Sequence, residues 1–400
     1  MTAAFDAVDI ERLRRRRTVK WTLYGPDVLA AWVAEMDFDV APVVRAAILE
    51  AVDREDFGYV VGDLTELTTA CAGFLAARYG WAVPPARVFP VADVLTGISV
   101  ALDTFVAPGR GVVVPTPAYP PFFEVVELTG REAVAAPLVL EGGRDTLDLE
   151  AIEAALARGA GAVLLCNPHN PTGRVFTTDE LEALAAVVDR YGARVVSDEV
   201  HAPLVYAGAR HVPYATVSEA AGEHAVTVTA ATKAFNIAGL KCAQVIATNH
   251  ADAARWRGLR VFEVPSPTPI GIAATTAAYR DGGEWLDGLV EYLDGNRARL
   301  RELLATEVPA VAMRMPEATF LSWLDCSALG LDDPARFFLD HAGVALSDGP
   351  PFGPGCREHV RLNFGTSRAL LERIVGAMGA AVRHRHVGGA ERHTRDSLHG

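Results

Sequence analysis

Three short runs of apolar residues lie in the middle of the chain, and each is followed by polar residues that can take part in chemistry. The runs occupy residues 161–166, 193–197 and 225–228. Between the first two, Thr177 and Glu180 have the spacing of a capping box and begin a segment with apolar residues at helical intervals. Continuous apolar strands separated by amphipathic helices are typical of a largely parallel sheet covered on both faces. The chain is therefore predicted to be an α/β protein.

The residues that follow these runs include an amide, an acid and an amine. Asn170 lies in the segment after the first run, Asp198 directly follows the second, and Lys233 comes shortly after the third. Chemistry in a parallel sheet collects at the carboxyl ends of the strands, so the three side chains are expected to lie close together. Lysine forms a Schiff base when its surroundings lower its pKa. Together the three groups indicate an enzyme that uses pyridoxal phosphate (PLP).

Two of the groups that PLP requires can be assigned at once. PLP needs an amine for its aldehyde and an acid for its ring nitrogen, and Lys233 and Asp198 are the candidates. Each also has a structural explanation, because a lysine can be an ordinary surface residue and an aspartate after a strand can be a helix N-cap. Both structural explanations are disfavoured because Lys233 and Asp198 occur together in one predicted site.

Composition and charge limit the other classes of function. Half of the 400 residues are hydrophobic, so the chain can bury a large core, and its length suggests two domains. The net charge of −13 argues against a nucleic-acid partner and against an anionic membrane surface. The basic run 12–17 is short and is predicted to be a solvated helix end or an arm that pairs with acidic neighbours. No segment has the ~18 apolar residues of a membrane span, and the N-terminus lacks a signal-peptide pattern.

Five cysteines are scattered along the chain without CxxC spacing. Neither a zinc site nor a disulfide framework is indicated, and free cysteines fit a reducing compartment. A cytoplasmic location is therefore expected. The cysteines are Cys71, Cys166, Cys242, Cys326 and Cys356.

The pattern of apolar residues changes near residue 286 and again near residue 383. A long helix is predicted over 285–304 and strands over 319–324 and 360–364, which indicates a smaller α+β domain. The last stretch holds four histidines and almost no apolar residues, so disorder is predicted, and metal binding by these histidines is the weaker alternative. The predicted parts are an N-terminal arm with part of the small domain (1–44), a large PLP-binding domain (45–285), a small C-terminal domain (286–382) and a disordered tail (383–400).

Three segments resemble a known superfamily. They are Asn-Pro-Thr-Gly at 170–173, Ser-Asp-Glu-Val-His at 197–201 and Thr-Lys-Ala-Phe-Asn-Ile-Ala-Gly-Leu at 232–240. These motifs are similar to those of the fold type I PLP enzymes of the aminotransferase class I/II superfamily, and the resemblance extends over about residues 5 to 382. It implies a mostly parallel sheet of seven strands in the large domain, a smaller α+β domain, and a homodimer whose active sites are shared between subunits.

Further motifs narrow the resemblance to one group. Residues 32–38 read Trp-Val-Ala-Glu-Met-Asp-Phe, and residues 57–59 read Phe-Gly-Tyr. Both resemble motifs of the MalY/PatB group of cystathionine β-lyase-like carbon–sulfur (C–S) lyases. His201 favours the same group, because plain aminotransferases usually carry tyrosine at that place.

The resemblance implies a role for each motif residue around the cofactor ring. Lys233 would form the Schiff base with PLP and move the α-proton of the substrate. Asp198 would pair with the ring nitrogen, and Asn170 would donate to the ring hydroxyl. Tyr119 would stack on the ring, with a core aromatic as the structural alternative, and His201 is expected among the cofactor-binding residues.

A second group of residues is implied for the phosphate. Gly97, Ile98 and Ser99, at the start of a predicted apolar helix, would offer backbone amides, since a helix N-terminus is a natural anion site. Lys241 stands where relatives often have a phosphate-binding arginine. Tyr59 would reach the phosphate from a neighbouring subunit, which is why a homodimer is expected.

One substrate contact and two departures from the family pattern complete the comparison. The guanidinium of Arg361 would bind the substrate α-carboxylate in bidentate fashion, and a structural arginine in a strand is the alternative. Glu35 replaces the usual aspartate of the 32–38 motif. Ala230 replaces a serine that many relatives place three residues before the lysine, so Thr232 or Thr229 would supply the missing hydroxyl.

These residues can form and stabilise a carbanion at Cα, but they do not decide what happens next. A thiolate on Cβ would be expelled to give a thiol, pyruvate and ammonia, whereas a substrate without a leaving group would be transaminated. A C–S β-lyase acting on cystathionine or another cysteine S-conjugate is the leading hypothesis. The alternatives are an aminotransferase or specialised biosynthetic PLP enzyme, and a PLP-fold regulatory or interaction protein.

Overall fold

The computed structural model describes residues 2–60, 62 and 64–396. No helix within this part of the chain combines the length and apolar character needed to cross a membrane. The α-helices are α1 (Thr2–Asp6), α2 (Ile10–Arg14), α3 (Val19–Thr22), α4 (Pro42–Asp53), α5 (Thr65–Tyr79), α6 (Val94–Phe105), α7 (Pro121–Leu128), α8 (Leu149–Ala157), α9 (Thr178–Arg190), α10 (Glu219–His224), α11 (His250–Arg257), α12 (Pro269–Asp281), α13 (Gly283–Glu307), α14 (Pro334–Ala342) and α15 (Arg368–Asp396). The strands are β1 (Leu29–Ala30), β2 (Val88–Val91), β3 (Val112–Thr116), β4 (Ala133–Pro137), β5 (Val139–Glu141), β6 (Arg144–Thr146), β7 (Ala162–Cys166), β8 (Arg194–Asp198), β9 (Ala225–Thr229), β10 (Ala243–Ala247), β11 (Ala312–Met313), β12 (Leu321–Asp325), β13 (Val344–Ala345), β14 (Ser347–Asp348) and β15 (His359–Asn363).

The central sheet has seven strands in the order β2-β10-β9-β8-β7-β3-β4. Strand β10 is antiparallel to both of its neighbours, and the remaining pairs are parallel. The predicted mostly parallel sheet of seven strands is confirmed. The three apolar runs of the sequence form β7, β8 and β9, which lie side by side, so their carboxyl ends meet at one edge of the sheet.

Both faces of this sheet are covered by helices. Val195 and Val196 are successive residues of β8, yet they pack in two different hydrophobic clusters, as expected for a pleated strand buried on both sides. Ile98 and Leu102 of α6 belong to the same cluster as Val196. Leu184 of α9 belongs to the cluster of Val195. The core therefore continues through the sheet from one helical layer to the other.

A smaller antiparallel sheet, in the order β11-β12-β15-β14, forms the second layered unit. The predicted helix and strands of this part correspond to α13, β12 and β15. The chain before α4 joins this unit, because β1 pairs with β13. Residues 32–38, called the arm segment below, contact Lys233 beyond β9 of the central sheet and Arg361 and Asn363 of β15 in the small sheet. The domain boundaries at 44, 285 and 382 stay predictions.

Helix α15 continues into the segment for which disorder is predicted, since it ends only at Asp396. Arg383 pairs with Glu307 of α13 at 2.9 Å, and Arg385 donates to the carbonyl of Leu329. These contacts attach Arg383 and Arg385 to the rest of the molecule. Helix α15 therefore continues although few residues of this segment are apolar. The disordered tail predicted for 383–400 stays a prediction, and residues 397–400 lie outside the described residues.

Candidate active site

Most of the predicted functional side chains meet at the carboxyl edge of the central sheet. They line a cavity of about 170 Å³ between this edge and the arm segment, to which Ala34 contributes. We call it the inner cavity. The predicted site residues that line it are Tyr119, Asn170, Asp198, His201, Thr232, Lys233 and Lys241.

Lys233 lies in the loop after β9 and reaches the arm segment. Its Nζ donates a hydrogen bond to the carbonyl oxygen of Ala34 at 2.9 Å. Burial lowers the pKa of Lys233 to about 8, and the Arg361 guanidinium acts in the same direction, whereas the Asp198 carboxylate opposes them. The amine is therefore partly neutral near physiological pH and can act as a nucleophile or a base.

Asp198 is the last residue of β8 and is buried in the same cavity. Its Oδ1 accepts a hydrogen bond from the backbone amide of Val200 at 3.0 Å. Burial raises the pKa of Asp198 to about 7, and this hydrogen bond and Lys233 offset the effect only in part. A buried carboxyl of this kind is stabilised in its charged form by a cationic partner. A short 3₁₀ turn follows at Ala202–Leu204 instead of an α-helix, which weakens the N-cap explanation.

Arg361 of β15 closes one side of the site and is only 4% exposed. It donates to the Asn170 side-chain oxygen at 3.0 Å, to the Trp32 carbonyl at 3.0 Å and to the Ser347 hydroxyl at 3.1 Å. All three acceptors are neutral. Burial lowers the pKa of Arg361 to about 10, so the guanidinium keeps its charge at neutral pH. A buried cation held by neutral acceptors is suited to a carboxylate ligand, which argues against a purely structural arginine.

The arm segment is held by side chains that the sequence analysis missed. Asn236 accepts from the amide of Met36 and donates to the carbonyls of Met36 and Phe38. Asn363 donates to the carbonyl of Glu35 at 2.7 Å. Asn236 has φ +57°, a backbone conformation that asparagine tolerates better than most residues. These contacts fix the segment against both sheets.

A buried ion pair anchors the same segment from the other side. Lys20 lies 2.8 Å from Asp37, and the two side chains are 1% and 0% exposed. Lys20 also donates to the carbonyl of Glu35 at 2.9 Å. The Glu35 carboxylate accepts from the Thr18 hydroxyl at 2.7 Å. Glu35, which replaces the usual aspartate, thus bonds to Thr18 in the chain before the arm segment. Asp37 provides the negative charge that pairs with Lys20.

The structure corrects the predicted phosphate cradle. Gly97, Ile98 and Ser99 lie beyond the first turn of α6, where amides bond within the helix, and the Gly97 amide donates to the Asp93 carbonyl at 2.9 Å. The prediction that these three amides bind phosphate is therefore wrong. A Cβ on Gly97 would lie 2.9 Å from Cγ1 of Val228, so this glycine allows α6 to pack closely on the sheet.

The free amides at the start of α6 belong to other residues. Val94 and Leu95 line the inner cavity, and first-turn amides have no partner within a helix. Asp93 caps the helix by accepting from the Thr96 amide at 2.8 Å. Lys241 lies 2.7 Å from the second oxygen of Asp93. A helix start beside a lysine amine is a favourable anion site, and the Asp-x-x-Thr spacing was the sequence signal for it.

Three further predicted residues lie in the inner cavity with distinct properties. Burial lowers the pKa of His201, and the charges of Lys233 and Arg361 add to this effect, so the ring is neutral. Its Nδ1 has no hydrogen-bond partner among the described residues. Burial raises the pKa of Tyr119, which keeps its hydroxyl protonated. Thr232 also lines the cavity and offers the hydroxyl that the alanine at 230 lacks.

Tyr59 does not line the inner cavity of its own chain. Its side chain is fully exposed, and it borders a surface groove with Arg54 and Ile272. A contact between Tyr59 and a phosphate at α6 therefore requires a second copy of the chain.

The donor set of the inner cavity fits PLP. Lys233 supplies a partly buried amine of lowered pKa, Asp198 a buried carboxyl, and Asn170 an amide. Tyr119 supplies an aromatic face, and the start of α6 with Lys241 supplies an anion site. These are the five kinds of group that the cofactor requires.

Comparison with known proteins places this arrangement in a family. The family model described as aminotransferase class I and II matches residues 32–378. The chain is 41% identical over 367 residues to cystathionine β-lyase of Corynebacterium glutamicum, with 91% of this chain and 96% of the relative covered. It is 36% identical over 365 residues to cystathionine β-lyase PatB of Bacillus subtilis (strain 168), with 89% and 94% covered.

A solved structure agrees with this placement. The structure is that of a candidate PLP-dependent β-cystathionase from Corynebacterium diphtheriae, which is 42% identical with a TM-score of 0.90. The match covers 94% of this chain and 98% of that one. The predicted fold and the resemblance to the MalY/PatB group are confirmed by these matches. The chain belongs to the aminotransferase class I and II family.

Proposed function

We propose that the protein is a PLP-dependent C–S β-lyase that cleaves cystathionine or a related cysteine S-conjugate. The conjugate and one water would give a thiol, pyruvate and ammonia. The observation that carries the proposal is the partly buried Lys233 amine, which shares one cavity with Asp198 and lies beside the Arg361 cation. The named cystathionine β-lyases among the relatives support elimination over transamination.

PLP, when bound, supplies an electron sink for the electron pair of the broken Cα–H bond. The Asp198 carboxylate would stabilise a positive charge on the ring nitrogen, and Asn170 would donate to the ring hydroxyl. The amides of Val94 and Leu95, with the Lys241 amine, would bind the phosphate. Each of these side chains or amides lines the inner cavity, so no large rearrangement is needed for them to act together.

Substrate binding and proton transfer fall to two residues. Arg361 would bind the α-carboxylate in bidentate fashion and fix the direction of the Cα–H bond. Lys233 in its neutral form would take the α-proton, and its lowered pKa keeps that form populated. The hydrogen bond of 3.0 Å from Arg361 to Asn170 links the substrate clamp directly to the cofactor site.

The active unit of the proposal is a homodimer. Tyr59 is fully exposed and Phe57 is 58% exposed, and exposed neighbouring aromatics are typical of a subunit interface. Tyr59 would bind the cofactor phosphate of the partner subunit. A cytoplasmic location is proposed on the five cysteines, all of which are buried and unpaired and suit a reducing compartment.

The proposal is tested with the purified protein, PLP and L-cystathionine. We expect pyruvate and free thiol in equal amounts, measured by a coupled dehydrogenase assay and a thiol reagent. Lys233→Ala should yield neither product, because it removes the base. Amination of an added keto acid without pyruvate formation would instead establish an aminotransferase. Failure of both reactions would favour the regulatory or interaction protein.

A further inference from the structure

A second cavity of about 460 Å³ adjoins the inner cavity, and we call it the outer cavity. Tyr119 lines both cavities. Arg361 lines the outer cavity and donates to Asn170 of the inner cavity at 3.0 Å. The Nε of this buried arginine has no hydrogen-bond partner among the described residues. A substrate whose α-carboxylate is held by Arg361 would therefore extend its side chain into the outer cavity.

The wall of the outer cavity is apolar next to Arg361. Trp32, Leu339, Leu346 and Phe352 form much of this wall. Such a surface suits methylene groups and a thioether sulfur, which make no strong hydrogen bonds.

Charged residues replace this apolar surface at the mouth of the outer cavity. Asp333 and Arg336 stand at the start of α14, and Asp348 lies in β14. Arg336 contacts Asp340 at 2.5 Å through its Nε, and this contact does not use the terminal nitrogens of the fork. Burial raises the pKa of Asp348, and the like charge of Asp333 adds to the effect. A cation bound beside these two carboxylates would relieve their repulsion.

We propose that Arg336 and Asp348 make the enzyme selective for conjugates whose leaving thiol is itself an amino acid. Arg336 binds the carboxylate of the leaving thiol, and Asp348 binds its ammonium group. The inference rests on the proposed C–S lyase function and adds to it the class of thiol released. L-Cystathionine has this distal amino-acid end, whereas a simple S-alkylcysteine does not.

Four substrates that share a three-carbon chain on the sulfur and differ in the charged groups at its end separate the two contacts. L-Cystathionine carries both distal charges, S-(3-carboxypropyl)-L-cysteine only the carboxylate, S-(3-aminopropyl)-L-cysteine only the ammonium, and S-propyl-L-cysteine neither. The variants are Arg336→Met and Asp348→Asn. Arg357→Met and Asp332→Asn are matched controls, because these two residues form an exposed ion pair outside the lining of the outer cavity.

The measured quantity is kcat/KM for pyruvate release. Arg336→Met should lower it about tenfold for the two substrates with a distal carboxylate and leave the other two unchanged, since a partly exposed charge pair contributes modestly. Asp348→Asn should give the same loss only for the two substrates with a distal ammonium. The controls should match the wild type on all four substrates.

Three other outcomes would contradict the residue assignment, the selectivity or the proposed function. Equal losses on all four substrates, or no loss on any, would overturn the assignment of Arg336 and Asp348 while leaving the lyase intact. Wild-type release of pyruvate from S-propyl-L-cysteine as efficient as from L-cystathionine would overturn the selectivity. Absence of pyruvate from every thioether would overturn the proposed function itself, and this inference with it.

Discussion

Lysine is rare in this chain, and each lysine has a specific environment. Only Lys20, Lys233 and Lys241 are lysines among the 37 Lys and Arg residues, so arginine supplies nearly all of the positive charge. Lys20 is buried in an ion pair, Lys233 lies in the inner cavity, and Lys241 pairs with Asp93 at the start of α6. A lysine amine is a compact charge whose pKa shifts readily, unlike a guanidinium. Lys20 and Lys233 therefore place an amine in a confined site, whereas the side chain of Lys241 is 55% exposed.

Lys241 is expected to determine how tightly the cofactor phosphate is held. Lys241→Ala should raise the Kd for PLP about ten- to a hundredfold, because a hydrogen bond to a charged group contributes about 1.5–3 kcal/mol. Lys241→Arg keeps the cation and should remain within a few-fold of the wild type. The measurement is a fluorescence titration of the cofactor-free protein with PLP.

Asp93→Asn shows whether Lys241 acts directly. Asparagine caps a helix as well as aspartate does, so this variant keeps the start of α6 and removes only the ion pair with Lys241. We expect PLP to bind at least as tightly, since a negative charge near the phosphate is lost. If Asp93→Asn weakened binding as much as Lys241→Ala, the lysine would act only by supporting the helix start.

At the level of elements, the arm segment positions both charged groups of the site. Its Ala34 carbonyl accepts from Lys233, and its Trp32 carbonyl accepts from Arg361. The segment itself has no helix or strand that would make it rigid. Its position depends instead on Asn236 in the lysine loop and on Asn363 in β15.

Asn236→Gly is expected to loosen the arm segment without straining the loop. Glycine adopts φ +57° freely, so the change isolates the hydrogen bonds that the side chain makes to Met36 and Phe38. The free energy of unfolding should fall by about 1–3 kcal/mol, and amide hydrogen exchange should accelerate in residues 32–38. Asn249→Ala, which removes the cap of α11, serves as the control. Unchanged exchange in the segment would show that other contacts hold it.

The elements that local patterns encode could be predicted from sequence. The helical spacing after Pro42 gives α4, and the capping box of Thr177 and Glu180 is present at the start of α9. The start of α6 was misplaced because a glycine in an apolar helix resembles a phosphate-binding glycine, while its actual constraint is contact with β9. Asn236 could not be found in this way, since its partners lie about 200 residues away and no local pattern encodes such a contact.

At the level of the whole molecule, the site combines parts that lie far apart in the chain. The central sheet contributes Lys233 and Asp198, the small sheet contributes Arg361, and the arm segment joins them. Tyr59 lies outside this assembly on its own chain. In the proposed homodimer, each active site therefore needs Lys233 of one subunit and Tyr59 of the other.

Hybrid dimers test this claim directly. Lys233→Ala inactivates the site to which its own subunit supplies the lysine, and Tyr59→Ala should weaken cofactor binding at the site of the partner. When the two inactive variants are unfolded together and refolded as a mixture, one site of each hybrid dimer regains both wild-type residues. Random pairing should then restore about a quarter of the wild-type activity at limiting PLP, since half of the dimers are hybrids with one intact site each. If Tyr59 served its own subunit, no hybrid would contain an intact site, and mixing would restore nothing.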